Sequence, residues 1–218
     1  LTEGKPRPED RLVIALTGGI ATGKSFVARI LEELGAQIVD TDVIARQVVA
    51  PGSYCLPKIT EIWGDWVINE DGTLDRKAMA SIIFSSPGDR KALSRILHPE
   101  IIKEMESQVA RSEKRVVVVV IPLLYETEEP VDFNEAWLVY CPPEVQAQRL
   151  IQRDGLTREE AAKRIDSQLP IDVKVSLSHV VIDNSGSREE TRANVVVEWE
   201  KLNARPALMP NPGTPASG

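Results

Sequence analysis

Apolar residues along the chain follow two rhythms. Five short runs, Leu12 to Leu16, Gln37 to Val39, Val116 to Ile121, Ala136 to Tyr140 and His179 to Ile182, are too short for helices and mostly β-branched, and each predicts a strand. Longer segments at helical spacing separate them, which implies a parallel sheet with helical crossovers. Between the second and third runs, from Thr41 to about Ser112, no convincing strand occurs; "RKAMASIIF" and "DRKALSRILHPEIIKEMESQVARSE" instead predict a helical insertion. Within the second of these, the proline of His98-Pro99 is expected to mark a new helix start. A second helical excursion follows the fourth run, because "DGLTREEAAKRIDSQ" opens with a capping box of Thr157 and Glu160. The expected plan is an α/β core of five parallel strands flanked by helices, made of residues 12–40, 113–144 and 176–203. Helical segments at 41–112 and 145–175 interrupt it, and the charged, proline-bearing ends at 1–11 and 204–218 are expected to be irregular.

Composition narrows the class. With 218 residues, 42% of them hydrophobic, the chain can bury a sizeable core. A net charge of −7 argues against extended nucleic-acid binding, which calls for a basic face. Cys55 and Cys141 are the only cysteines and show no metal-type spacing, so both are expected to be reduced in a cytoplasmic setting. The longest apolar run, Val116 to Ile121, is far too short to span a bilayer. No obligatory protein partner is evident.

The first strand runs straight into "LTGGIATGKS", which fits G-x-x-x-x-G-K-[ST] with Gly18, Gly23, Lys24 and Ser25 and is followed by the helical "FVARILEELG". That is a P-loop in its required strand-to-helix context. Its backbone N–H groups and the helix N-terminus form an anion nest, Lys24 is expected to reach the β- and γ-phosphates of a nucleotide, and Ser25 to ligate Mg²⁺. The core is thus expected to be a P-loop NTPase core.

Strand two runs out into "DTD", which brings Asp40 and Asp42 to the carboxyl end of a strand, where ligands of open α/β sheets bind. Both carboxylates fall on one side if the backbone stays extended. One is suited to orient or deprotonate an acceptor hydroxyl and the other to hold a water of the Mg²⁺ shell. Alternatively one caps the helix "VIARQVV", and Asp42 is the nearer to it. No aspartate ends Val116 to Ile121; the chain passes into Pro122-Leu123-Leu124-Tyr125-Glu126, so either Glu126 substitutes or Mg²⁺ relies on Ser25, phosphates and water. Arg149 and Arg153 share a helix face before the excursion that holds Arg158 and Arg164, a cluster able to clamp phosphate or to pair with Asp154, Glu159 and Glu160. In "VIDNSG", Asn184 either meets a purine edge or completes a plain turn.

Taken in order, "LTGGIATGKS", "VDTDVIARQVV", "DGTLDRKAM", "LHPEI", "PLLYE", "VQAQRLIQRDGLTREEAAKRIDSQ" and "VIDNSG" resemble the motifs of the dephospho-CoA kinase family over about residues 12 to 200. The resemblance implies an ATP-dependent phosphotransferase with an alcohol acceptor, moving the γ-phosphate to the ribose 3′-hydroxyl of dephospho-CoA with Mg²⁺. It implies an acceptor-binding unit at 41–112 and a lid at 145–175. ATP would be held by Gly19, Ile20, Ala21, Thr22, Gly23, Lys24, Ser25, Phe26, Arg149 and Asn184, and the acceptor by Asp42, Arg46, His98, Leu123 and Glu126. Lys24, Asp42 and Arg149 would be catalytic, and Ser25 and Asp40 would serve the metal. Departures from the family pattern are Ala21-Thr22 for the usual Gly-Ser, Ser178-His179 for Ala-Asp, and Val175 where a basic residue commonly follows Lys174. Another nucleotide kinase, or a nucleotide-dependent switch protein, is the alternative that the core motifs alone leave open.

Overall fold

A computed structural model describes residues 11–127 and 131–205. Of the expected tails, residues 1–10 and 206–218 lie outside the described residues, and Ala204 proves to be helical. The five strands form where the apolar runs predict them: β1 Leu12–Gly18, β2 Gln37–Asp40, β3 Val116–Val120, β4 Glu135–Tyr140 and β5 Val180–Asp183. They make one sheet in the order β2-β3-β1-β4-β5, with β1 parallel to both β3 and β4, and β4 parallel to β5. β1 lies at the centre, so the loop that leaves it emerges at the middle of the carboxyl edge, where strand order reverses.

The chain divides into two compact units, the first of residues 11–39 and 111–205 and the second Asp40–Ala110. In the first, Leu12, Ile14 and Leu16 of β1 alternate into one core with Val116, Val118 and Val120 of β3. Helices α1 Lys24–Glu33 and α9 Arg188–Ala204 close this layer with Val27, Ile30, Leu31, Val195 and Leu202. All five residues of β3 are buried, as a strand covered on both faces requires. Following β4, the unit continues through α6 Pro143–Asp154, α7 Arg158–Asp166 and α8 Ile171–Leu177. The expected capping box forms at α7: the Thr157 hydroxyl accepts the Glu160 N–H and the Glu160 carboxylate accepts the Thr157 N–H.

The second unit contains α2 Thr41–Gln47, α3 Cys55–Trp63, α4 Arg76–Ser85 and α5 Pro87–Arg111, around a core of Val49, Cys55, Ile59, Val67, Met79 and Leu93. Its only described strand-like feature is a single bridge between Ile68 and Leu74. Here one expectation is corrected. Pro99 does not begin a new helix but lies inside α5, which runs through 25 residues. The proline forfeits its own hydrogen bond and crowds the carbonyl four residues back, a cost offset by packing: Leu93, Ile96 and Leu97 before it pack into the core and Met105 after it is buried.

Candidate active site

The loop after β1 owes its shape to two glycines. A side chain at Gly18 would collide with the Val139 carbonyl, 2.6 Å from the added Cβ, and one at Gly23 would collide with the Asn184 amide while its φ of +93° is one that L residues avoid. Gly23 is also the N-cap of α1; no side chain caps this helix and no acidic residue occupies its first turn. The helix start is thereby kept for an anion. The Lys24 ammonium donates to the Gly18 and Gly19 carbonyls, each at 2.9 Å, which lays its stem along the loop. Ser25 is exposed at the second helical position, and half-buried Phe26 carries the Arg188 guanidinium 5.5 Å from its ring centre.

The rest of the loop is braced by side chains distant in sequence. Thr22 is fully buried, and its hydroxyl donates to the Gly19 carbonyl at 2.9 Å. The Arg149 guanidinium donates to the carbonyls of Ala21 and Thr22 at 3.4 Å and of Asn184 at 2.6 Å. Asn184 is buried; its amide donates to the Thr22 carbonyl at 2.6 Å and accepts from the Thr191 hydroxyl at 2.7 Å. The side chain expected to meet a purine edge is thus directed into the fold, where it fixes the loop. Gln168 accepts the N–H of Ile20 at 2.8 Å, and buried Gln146 donates to the Cys141 carbonyl. Sequence reasoning did not single out Gln146 or Gln168. Gln168 ends the quoted run "RIDSQ", but its partner is 148 residues away and no spacing rule connects them.

A cavity of about 390 Å³ adjoins the loop, lined by Ala21, Gly23, Arg149, Gln152 and Arg153. The four arginines expected to act as one cluster are divided. Arg149 braces the loop, Arg153 and Arg164 share Asp154 at 2.7 and 3.2 Å, and Arg158 is exposed with no partner among the described residues. Glu160 pairs with none of them, being engaged in the capping box.

Glu126, the residue suggested for the metal or the acceptor, is largely shielded and engaged within the fold. Its Oε1 accepts the Leu169 N–H at 3.1 Å and lies 2.5 Å from the ammonium of Lys174, a lysine with no exposed side-chain surface. The ammonium makes no aligned hydrogen bond and Glu126 Oε2 is buried without a partner among the described residues, so charge alone holds this pair. Beside it the Tyr125 hydroxyl meets the Ser178 hydroxyl at 2.8 Å and the Leu177 carbonyl at 3.1 Å. Leu123, in the same turn, is 48% exposed, an apolar side chain presented to solvent. The residues that depart from the family pattern make bonds of their own, since His179 Nδ1 accepts the Ala136 N–H at 3.0 Å.

In the helical unit, the aspartate expected to cap is not the one that does. Asp40 is the N-cap of α2, its Oδ1 accepting the N–H groups of Asp42 at 2.8 Å and Val43 at 3.4 Å. Because the helix begins at Thr41, the two carboxylates do not share one face of an extended strand; Asp42 lies in the first helical turn, exposed. Arg46, exposed in the last turn of α2, lines a cavity of about 430 Å³ with Val49, Pro51, Asn69, Thr73 and Arg76. Neither arginine has a partner among the described residues. His98 lies mid-way along α5 and is not among the residues lining this cavity.

The sequence matches the dephospho-CoA kinase family over residues 12–190. The chain belongs to the dephospho-CoA kinase family. Among curated relatives, the dephospho-CoA kinase of Geobacter metallireducens is 44% identical over 199 residues, 89% of this chain and 99% of that one. A dephospho-CoA kinase domain-containing protein of Danio rerio is also 44% identical, over 88% of this chain and 85% of its own. Of solved structures, TT1252 of Thermus thermophilus superposes with a TM-score of 0.78 at 30% identity, over 90% of this chain and 99% of that one. The dephospho-CoA kinase of Campylobacter jejuni superposes with a TM-score of 0.62 at 26% identity, over 88% of this chain and 98% of that one. Shikimate kinase of Acinetobacter baumannii, at 18% identity and a TM-score of 0.52, shares the fold alone.

Proposed function

We propose that the chain transfers the γ-phosphoryl group of ATP to the ribose 3′-hydroxyl of dephospho-CoA, giving CoA and ADP. The observation that carries this reading is the loop of residues 18–25, whose uncapped helix start, lysine and three-sided bracing form a preorganised polyphosphate cradle, in a chain of this family. The bond from the γ-phosphorus to its bridging oxygen breaks, a bond to the acceptor oxygen forms, and the hydroxyl proton passes to the Asp42 carboxylate. Asp42 is suited to this because it is exposed and does not cap its helix. In a loose transition state the lysine and the loop amides neutralise charge on the transferring group. Leu123 supplies apolar contact to the acceptor, and Arg46 with Arg76 an anion-attracting cavity; His98 belongs to the same unit.

Among the described residues no group of three or more His, Cys, Asp or Glu side chains is placed to hold a metal, which fits Mg²⁺ that arrives with the nucleotide and takes few protein ligands. The Ser25 hydroxyl would hold it, with the free oxygen of Asp40 on its water shell, and when bound it screens the β- and γ-oxygens. A cytoplasmic setting belongs to the same reading: no described helix is long and apolar enough to cross a membrane, and Cys55 and Cys141 are unpaired. ADP release from ATP, measured with dephospho-CoA, with AMP and without acceptor, tests the proposal. Dependence on dephospho-CoA is expected; equal release with AMP points to another nucleotide kinase, and release without any acceptor to a switch or ATPase.

A further inference from the structure

The loop contains one residue in a conformation that its side chain opposes. Ala21 has φ of +58°, the sole non-glycine residue with positive φ among those described, in the left-handed region where the Cβ crowds the following carbonyl. Such strain persists only where the surroundings over-determine it. Here the Ala21 carbonyl and the peptides one step further out on either side are fixed from three directions. After Ala21, the Thr22 carbonyl is held by Asn184 at 2.6 Å and by Arg149 at 3.4 Å, and Arg149 also holds the Ala21 carbonyl. Before it, the Ile20 N–H is held by Gln168 at 2.8 Å. Arg149 and Asn184 are donors and fix carbonyls; Gln168 is the side chain that fixes an amide.

Gln168 is itself anchored. Its N–H donates to the Ile165 carbonyl at 3.1 Å, the next N–H, of Leu169, donates to Glu126 at 3.1 Å, and Glu126 is paired at 2.5 Å with buried Lys174. A neutral amide suits the position, because a carboxylate would offer the same acceptor but add negative charge beside a polyphosphate. We propose that Gln168 is a positioning residue for the phosphate-binding loop: by holding the Ile20 amide it keeps the strained Ala21 peptide in the shape that aims the following N–H groups at ATP. The proposal rests on the reading of residues 18–25 as the ATP cradle.

A double-mutant cycle decides it. ATP affinity is measured by calorimetry without acceptor for the unaltered chain, Gln168→Met, Ala21→Gly and the double variant, and exchange of the Ile20 amide is followed in parallel. Methionine keeps the length and removes the acceptor. Gln168→Met is expected to weaken ATP about three- to tenfold, the usual worth of one hydrogen bond, and to accelerate exchange at Ile20. With glycine at position 21 there is no strain to hold, so the same substitution is expected to weaken ATP less than twofold. Equal losses in both backgrounds, or an unchanged affinity with alanine at 21, overturn the proposal. Should Gln168→Met fail to fold, Gln168→Asn, one methylene too short to reach, replaces it in the cycle. If the unaltered chain binds no ATP, the functional reading fails instead, and the exchange rate at Ile20 alone decides whether Gln168 holds the loop.

Discussion

At the scale of single residues, two aspartates two positions apart do different work. Asp40 ties down the start of α2 through two amides, and Asp42, released from that task, is the candidate base. Asp42→Asn keeps size and loses basicity, so kcat is expected to fall about 10²- to 10⁴-fold while the calorimetric affinity for ATP stays the same. Asp40→Asn preserves the cap, since asparagine caps as well as aspartate, and its smaller loss of rate is expected to be relieved in part by raised Mg²⁺. Steady-state kinetics with ATP and dephospho-CoA distinguish the two; the opposite pattern exchanges their roles. The pair itself was legible in "DTD", but not which member caps, because that depends on where the chain leaves the extended conformation. Lys174 was less legible still. Lysine is among the residue types least often buried, and nothing in "IDVKVSL" announces that this one has no exposed side-chain surface.

Among the elements, the strands were readable to within two residues because each is a short run of apolar residues with no competing period, although only β1, β3 and β4 are buried along most of their length. α5 was not, since a proline signals a helix boundary locally and only packing, invisible in sequence, carries the helix past it. Helix starts offer a test in pH. The carboxyls of Glu160 and Glu190 are lowered from the ordinary glutamate value, first by the backbone N–H of the residue each one caps back to, then by its hydroxyl. A depressed folded value means that the stabilisation is fully present above the unfolded value, near 4.5, and is lost as pH falls through the lower folded one. Glu160→Gln should therefore melt below the unaltered protein at neutral pH, and in thermal melts the difference should shrink as pH falls below 4.5 and close once pH has passed the lower folded value. The anchor of α8 responds differently. Lys174→Met leaves the largely shielded Glu126 carboxylate without its cation and is expected to lower stability in chemical denaturation, by less than the loss of a fully buried pair. Adding Glu126→Gln should recover part of that, because the second change removes the unpaired charge.

For the whole molecule, the division into two units, each with its own apolar core, makes the proposed placing of ATP on the first and of most acceptor contacts on the second testable. In hydrogen-exchange measurements, ATP alone is expected to slow residues 18–26 and 184, and dephospho-CoA alone to slow the segments around Arg46 and Arg76. Arg76→Ala should raise KM for the acceptor about tenfold and leave ATP affinity as it was, the loss of one charge-assisted contact. Protection by the acceptor confined to residues 18–26 would remove the helical unit from the acceptor site. The two cysteines bear on how such a protein lives with its own product. Both have no exposed surface, and burial before any other cause holds both thiols above their ordinary range, with Glu100 adding to the effect at Cys55. CoA ends in a thiol, and exchange of its disulfide onto a protein needs an accessible thiolate. Burial of both sulfurs, Cys141 included although Arg149 donates to it at 3.6 Å, shields the chain from a covalent adduct with accumulated product; incubation with CoA disulfide should leave its intact mass unchanged.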